Sequence, residues 1–335
     1  MKSTKGILLF IVMLVLSMAL IVGCGDNGDE PVESEDQEQA ADQENDEQED
    51  EAAEEDAQEE EEAVYPKTVV DSYDREVVLE SRPETLVSIA PSITEIIFAL
   101  ERGDLLIGRT DFCDYPAEVS EVESIGSLME PNIEKIVELD PDVVIASTHF
   151  SRESLEKMEE LGLTVLVFYG SEDFEGTFYT IEVIGELFEE EKKASEIVSD
   201  MKETIADVKE RVEGLEKPSV YYVIGFGEWG DYTATGETFI SEMIEIAGGE
   251  NIAKEAEGWQ YSVEKIVEQD PEILIVSKFH DSKAGIMEAT GYKELTAVQE
   301  DRIFEIDNNL LDRTGPRMAE GLRTLAEIFH PEAFE

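Results

Sequence analysis

Residues 133–147 read IEKIVELDPDVVIAS and residues 263–277 read VEKIVEQDPEILIVS, with nine of fifteen positions identical at an offset of 130. An internal repeat constrains a fold more than any composition does, because each copy must build the same unit. Each copy reads as a short helix, an Asp-Pro turn and an apolar run of strand length. Between the copies, residues 174–216 contain no proline. There Ile181, Ile184, Leu187, Ala194, Ile197, Met201, Ile205, Val208, Val212 and Leu215 fall mostly at three- and four-residue steps. A helix of that length would span roughly 60 Å, more than one small lobe. Two similar α/β lobes joined by one long spine helix follow.

The flanking sequence supports this reading. Thr85–Ala90, Leu105–Thr110, Val143–Ser147 and Thr164–Tyr169 read as strands, with helices at Asn132–Leu139 and Ser151–Leu161 between them. Ser92-Ile-Thr-Glu95 has the form of a capping box opening a helix through Leu100. Alternating strands and helices predict parallel sheets. Ligands of such units sit at strand carboxyl ends, so two facing lobes place a site in the cleft between them. The expected division is 64–173 for the first lobe, 174–216 for the linking helix and 217–335 for the second lobe.

The first 63 residues differ in kind. Lys2 and Lys5 precede an apolar run, Ile7–Val22, which ends at Gly23-Cys24. The run is short for a spanning helix and reads as a signal peptide over 1–23. The alternative is a signal-anchor helix with an incidental cysteine. Residues 25–63 hold 21 acidic and no basic residues and no aromatic residue. Such a segment buries too little apolar area to fold, and like charges extend it. With Cys24 it makes an acidic tether, or else a cation-buffering tail.

The chain has 82 acidic against 25 basic residues, a net charge of −57. No phosphate-neutralising surface is available, which excludes general nucleic-acid binding. Enzyme signatures are missing as well: there is no Gly-x-Ser-x-Gly elbow, no Walker loop and no His-Glu-x-x-His. Residues 225–230 match GxGxxG formally, but the helix that a dinucleotide site requires does not follow. Three His and two Cys predict no metal site and no disulfide scaffold. His149 and His280 fall just beyond the repeat strands, near the cleft rim, while His330 is expected at the surface.

The segments LVSIAPSITEIIFAL (86–100), TDFCDYPAE (110–118), GGENIA (248–253) and GPRMAEGL (315–322), with the two repeats, resemble solute-binding lipoproteins of ABC importers. The resemblance covers about 80–335. It points to the group with one helical spine that serves cobalamin, ferric siderophores and haem, and most closely to its vitamin B12-binding branch. It implies a monomeric, extracytoplasmic binding protein, not an enzyme, whose partners are a permease dimer and its ATPase subunits. The ending at Cys24 resembles a lipobox, making Cys24 the lipid attachment site and the membrane a further partner. The transported ligand is expected to be a corrinoid, cobalamin first, with haem or a ferric siderophore as alternatives and no resident cofactor.

By the same resemblance, Phe112 and Trp259 are rim aromatics of the first and second lobes. Trp229 and Tyr232 lie in a cleft loop, and Asn309 and Arg313 form a polar cleft segment. Leu128 and Leu310 stand where the B12 branch suggests aromatics. Glu134 and Glu264, the paired acids of the repeat, match glutamates that dock on permease arginines. Each also lies in a first helical turn, where an acid favours the helix dipole in any case. A lipid-stalked surface adhesion module is the competing reading from another class, and the cleft-building repeat argues against it.

Overall fold

The chain's structure, a computed structural model, describes residues 65–169, 173–227 and 230–335. The leader, Cys24, the acidic tether and Trp229 lie outside the described residues.

A short antiparallel hairpin, β1 (Lys67–Val70) and β2 (Glu76–Leu79), comes first. The first lobe follows as β3 (Leu86–Ser88), α1 (Pro91–Ala99), β4 (Leu106–Arg109), α2 (Ile133–Leu139), β5 (Val143–Ala146), α3 (Arg152–Glu160) and β6 (Val165–Val167). Helices α4 (Phe174–Leu187) and α5 (Glu191–Val212) come next. The second lobe runs through β7 (Ser219–Val223), α6 (Phe239–Ile246), β8 (Glu250–Asn251), α7 (Val263–Gln269), β9 (Ile273–Ser277), α8 (Ser282–Glu288), α9 (Thr296–Gln299) and β10 (Ile303–Ile306). It ends with α10 (Asn309–Asp312) and α11 (Met318–Phe329). Both main sheets are parallel throughout. Their orders are β4-β3-β5-β6 and β8-β7-β9-β10, the same topology twice.

The repeat reappears atom by atom. Asn132 and Ser262 cap α2 and α7 by accepting from the backbone N–H of Lys135 and Lys265. Asp140 (φ 49°) and Asp270 (φ 44°) end the two helices in the left-handed conformation, which Asp tolerates better than most residues. Asp142 then accepts from the Thr85 backbone N–H and hydroxyl, and its own N–H donates to Thr85 Oγ1. Glu272 makes the same reciprocal clamp with Ser219. Each clamp ties a repeat strand to the first strand of its lobe.

The strands are apolar because both sheet faces are covered. Leu86, Val143 and Ile145 share one core cluster with Val220, Tyr222, Ile273 and Ile275 of the other lobe. Val198, Met201, Ile205 and Val208 of α5 belong to that cluster, as do Leu322 and Leu325 of α11. The alternate residues face outward into lobe-specific clusters. Val87, Val144 and Ala146 meet Ile133 and Ile136, while Tyr221, Val223, Leu274 and Val276 meet Ile266 and Tyr292.

The helix expected over 174–216 is interrupted. Glu189 takes φ 58°, and Gly185 packs so closely on Ala194 that a Cβ there would lie 2.5 Å from the Ala194 Cβ. The chain turns between Leu187 and Glu191, leaving α4 packed on α5. The spine is therefore α5 alone, 22 residues or about 33 Å long. Its first turns are fixed to the first lobe by Lys193–Glu101 (2.6 Å), and Arg102 pairs with Glu190 just before it. Its far end is fixed by Asp207–Arg323 (3.2 Å) and by Arg211 donating to the Ala333 carbonyl (2.9 Å). His330 is buried rather than at the surface, with Nε2 3.0 Å from the Gly248 carbonyl oxygen.

Candidate functional site: the cleft between the lobes

Segments leaving the carboxyl ends of strands in both sheets converge on one cavity of about 390 Å³. Ala90, Pro91 and Ser92 follow β3, Phe112 follows β4, and Ser147 to His149 follow β5. From the second lobe come Ile224 after β7, Phe239 and Ile240 at the start of α6, Trp259 before α7, and Asn309 to Thr314 after β10. A larger hollow of about 560 Å³ runs beside the edge strand β8. Its lining belongs to one lobe and carries Lys254, Lys265, Glu250, Glu255 and Glu268, whereas the cleft joins both lobes over an apolar surface.

Four of the residues expected from sequence line this cleft: Phe112, Trp259, Asn309 and Arg313. Phe112 and Trp259 are 55% and 43% exposed, one from each lobe. Large aromatics left in solvent inside a concavity are available for stacking on a flat partner. Leu128 also lines the cavity, while Leu310 is buried under α11, where its carbonyl would meet any Cβ on Gly321. Tyr232 does not line the cavity. Its backbone bridges Gly225 and Gln260, and its hydroxyl accepts from Gln260 Nε2 at 3.1 Å. The next residue, Thr233, donates its N–H to the Trp259 carbonyl (2.9 Å), so this segment supports Trp259.

Arg313 is not free. Its Nη1 donates to Glu95 Oε1 (2.8 Å) and Asp114 Oδ1 (2.7 Å), and its Nη2 donates to the Phe112 carbonyl (3.3 Å). Arg317 grips the same Glu95 through Nε (2.9 Å) and Nη2 (3.0 Å), and its guanidinium lies 3.8 Å from the Tyr115 ring centroid. The Glu95 side chain is 2% exposed. The capping box expected at Ser92–Glu95 is accordingly not formed. Helix α1 starts at Pro91, its N-cap Ala90 makes no side-chain bond, and Glu95 faces inward. Burial alone would lower the Arg313 pKa, but hydrogen bonds and charge from Asp114 and Glu95 raise it above its ordinary value. Neither carboxylate partner of Arg313 is a neighbour in the chain: Glu95 lies 218 residues away and Asp114 199.

Sequence reasoning also missed Asp312, Ser147, Thr148 and Thr314 as lining residues. Small polar residues at strand ends carry no periodic signal, although their position after apolar runs could have marked them. His149 lines the rim with φ 72°, while His280 (φ 61°) does not line the cavity. No group of three or more His, Cys, Asp or Glu is placed to hold a metal ion among the described residues. Cys113 is buried and free, contacted by the Thr94 and Thr110 hydroxyls at 3.1 and 3.3 Å. Glu134 and Glu264 are both exposed in first helical turns, and neither has an ion-pair partner among the described residues. No described helix is long and apolar enough to cross a membrane.

Residues 86–310 match the family model of the periplasmic binding proteins. The chain is similar to an uncharacterized ABC transporter substrate-binding lipoprotein, YvrC, of Bacillus subtilis, with 31% identity over 342 aligned positions covering 100% of each chain. It is 28% identical to a cobalamin-binding protein of Halobacterium salinarum over 79% of this chain and 74% of that one. Among solved structures, the periplasmic heme-binding protein RhuT of Roseiflexus, in its apo form, shares the fold. Its TM-score is 0.69 at 24% identity, covering 75% of this chain and 99% of that one. Two lobes of one topology, a helical spine, a cleft at the strand ends and a family match over most of the folded part lead to one conclusion. The chain belongs to the periplasmic binding protein family, extracytoplasmic solute-binding components of transport rather than enzymes.

Proposed function

We propose that the chain is the lipid-anchored capture subunit of an ABC importer and that its cargo is a corrinoid, cobalamin first. The observation that carries the ligand class is the charge of the cleft. Arg313 is the only Lys or Arg lining it among the described residues, and two carboxylates already occupy it. Haem carries two propionates, which would need a free cation once desolvated. A corrinoid carries amides around its ring and needs only hydrogen bonds and flat apolar contact. Phe112 and Trp259 supply the contact, and Asn309, Ser92, Ser147 and Thr314 supply hydrogen-bonding groups. The cobalamin-binding relative agrees with this choice.

In this reading Glu134 and Glu264 dock the loaded protein on the two permease subunits, and exposed charges of this type fix register and speed association. Cys24 carries the lipid, two or more acyl chains give stable anchoring, and the acidic segment 25–63 acts as spacer. The protein works as a monomer, and ATP hydrolysis by another subunit drives transport. Haem is the second reading, favoured by one observation: the exposed His149 imidazole on the cavity wall could ligate iron. Calorimetric titration with cyanocobalamin, haemin and a ferric hydroxamate tests the choice. One-to-one cobalamin binding with weak haemin binding is expected. Tight haemin binding that is lost in His149→Ala would replace the corrinoid by haem.

A further inference from the structure

Asp312 takes no part in the Glu95 cluster, although it is adjacent to Arg313. It ends α10 and lines the cleft. It accepts from the buried Tyr222 hydroxyl at Oδ1 (3.2 Å) and from Asn308 Nδ2 at Oδ2 (2.6 Å). A carboxylate offers about four lone-pair sites, so two of them stay open. The residue is exposed and lines the cleft. The Arg313 guanidinium turns away and spends its hydrogen bonds on Glu95, Asp114 and the Phe112 carbonyl.

Ser92, Thr314 and Asn309 each carry both a donor and an acceptor, so they suit an amide or a carboxylate equally. The Ser147 hydroxyl donates to the Phe168 carbonyl (2.7 Å) and leaves the cleft an uncharged acceptor. Asp312 is the only carboxylate in the lining among the described residues, and when ionised it accepts only. From this geometry we infer that Asp312 is the specificity residue of the cleft, selecting macrocycles with primary amides over those with carboxylates. The inference rests on the corrinoid reading above. An amide N–H would complete the Asp312 carboxylate, whereas a ligand carboxylate would bring a like charge into a partly desolvated site. Burial raises the Asp312 carboxyl above its ordinary range, outweighing the donors Asn308 and Tyr222 and the charge of Arg313.

The test uses the full-length protein, titrated calorimetrically at neutral pH with two probes on the same ring. Dicyanocobinamide carries amides, and dicyanocobyrinic acid carries carboxylates in their place. Wild-type protein should prefer the amide form by at least about tenfold, and Asp312→Asn should reduce that ratio by about tenfold, the low end of the cost of leaving a polar group unsatisfied. Most of the change should come from tighter binding of the acid form, because Asn removes the charge while its one oxygen still accepts from Tyr222 or Asn308. Tyr222→Phe, which removes a neighbour but leaves the charge, should retain the preference. An equal ratio in wild type and Asp312→Asn overturns the inference. So does loss of the preference in Tyr222→Phe, which would trace it to packing. Failure of both probes to bind wild-type protein would instead overturn the corrinoid reading, and the inference with it.

Discussion

Replacing Glu95 by Gln separates two accounts of one residue. As part of a capping box, its loss would cost about 1 kcal/mol or less and would stay local to α1. As the anchor of Arg313 and Arg317, it costs far more. Its carboxylate, 2% exposed, receives three guanidinium hydrogen bonds of 2.8 to 3.0 Å. Removing one partner of a buried ion pair costs about 3–5 kcal/mol, because the remaining charge stays desolvated. The lower end applies here. Arg313 keeps Asp114 at 2.7 Å, and Arg317, 16% exposed, keeps the face of Tyr115. Gln also keeps one acceptor oxygen. We therefore expect a loss of about 3 kcal/mol, read as a lowered urea midpoint at unchanged slope. Arg317→Gln should be destabilising as well, and the double variant should cost less than the sum of the singles by about 1–2 kcal/mol. Because Arg313 also holds the Phe112 carbonyl, Glu95→Gln should weaken ligand binding. A cost under about 1 kcal/mol, additive with Arg317→Gln, would refute the buried-anchor account.

Trp259→Ala and Phe112→Ala should each weaken ligand binding by about 1–3 kcal/mol while shifting the unfolding midpoint little, since both side chains are largely exposed; unchanged affinity would remove them from the site. Glu134→Arg combined with Glu264→Arg should leave ligand binding and stability intact but abolish uptake in cells, and normal uptake would end the docking proposal. Burial alone would raise the Asp142 carboxyl, but the N–H groups of Glu84 and Thr85 and the Thr85 hydroxyl outweigh it and hold the pKa below the usual value. That contribution is complete above about pH 4 and is lost as pH falls through the lowered pKa, so Asp142→Asn should flatten the acid limb of stability against pH; an unchanged limb would show that other carboxylates set it.

What was legible in the sequence was local. Asn132 and Ser262 cap their helices, and Asp140 and Asp270 end them, because each needs only neighbours in the chain. The repeat then carries the sheet order with it. Phe112 and Trp259 were expected at the rim from the family resemblance rather than from local pattern, and both line the cavity. The break at 188–190 was not, since Leu187 and Phe188 continue the apolar spacing and both are buried. It depends instead on a tight contact between Gly185 and Ala194 of the next helix. Ser92–Glu95 has the local form of a cap, yet two arginines more than 200 residues away determine its place. Asp312 carries no local signal in so acidic a chain; its place in the cleft depends on Tyr222, 90 residues away, as well as on Asn308.

These long-range contacts bear on how the cleft works. One core cluster contains strands of both lobes together with α5 and α11, so opening the lobes widely would expose packed apolar surface. Glu95 adds a polar constraint at the mouth, since Arg313 and Arg317 follow the second sheet while Glu95 and Phe112 belong to the first lobe. A wide hinge motion would have to break a buried ion pair as well as the shared core. The cleft is thus largely preformed, and the ordering cost that an open, flexible site would meet on binding has already been met in folding. Any closure around a ligand then falls to small movements of the rim segments that carry Phe112 and Trp259, the most exposed aromatics of the cavity wall.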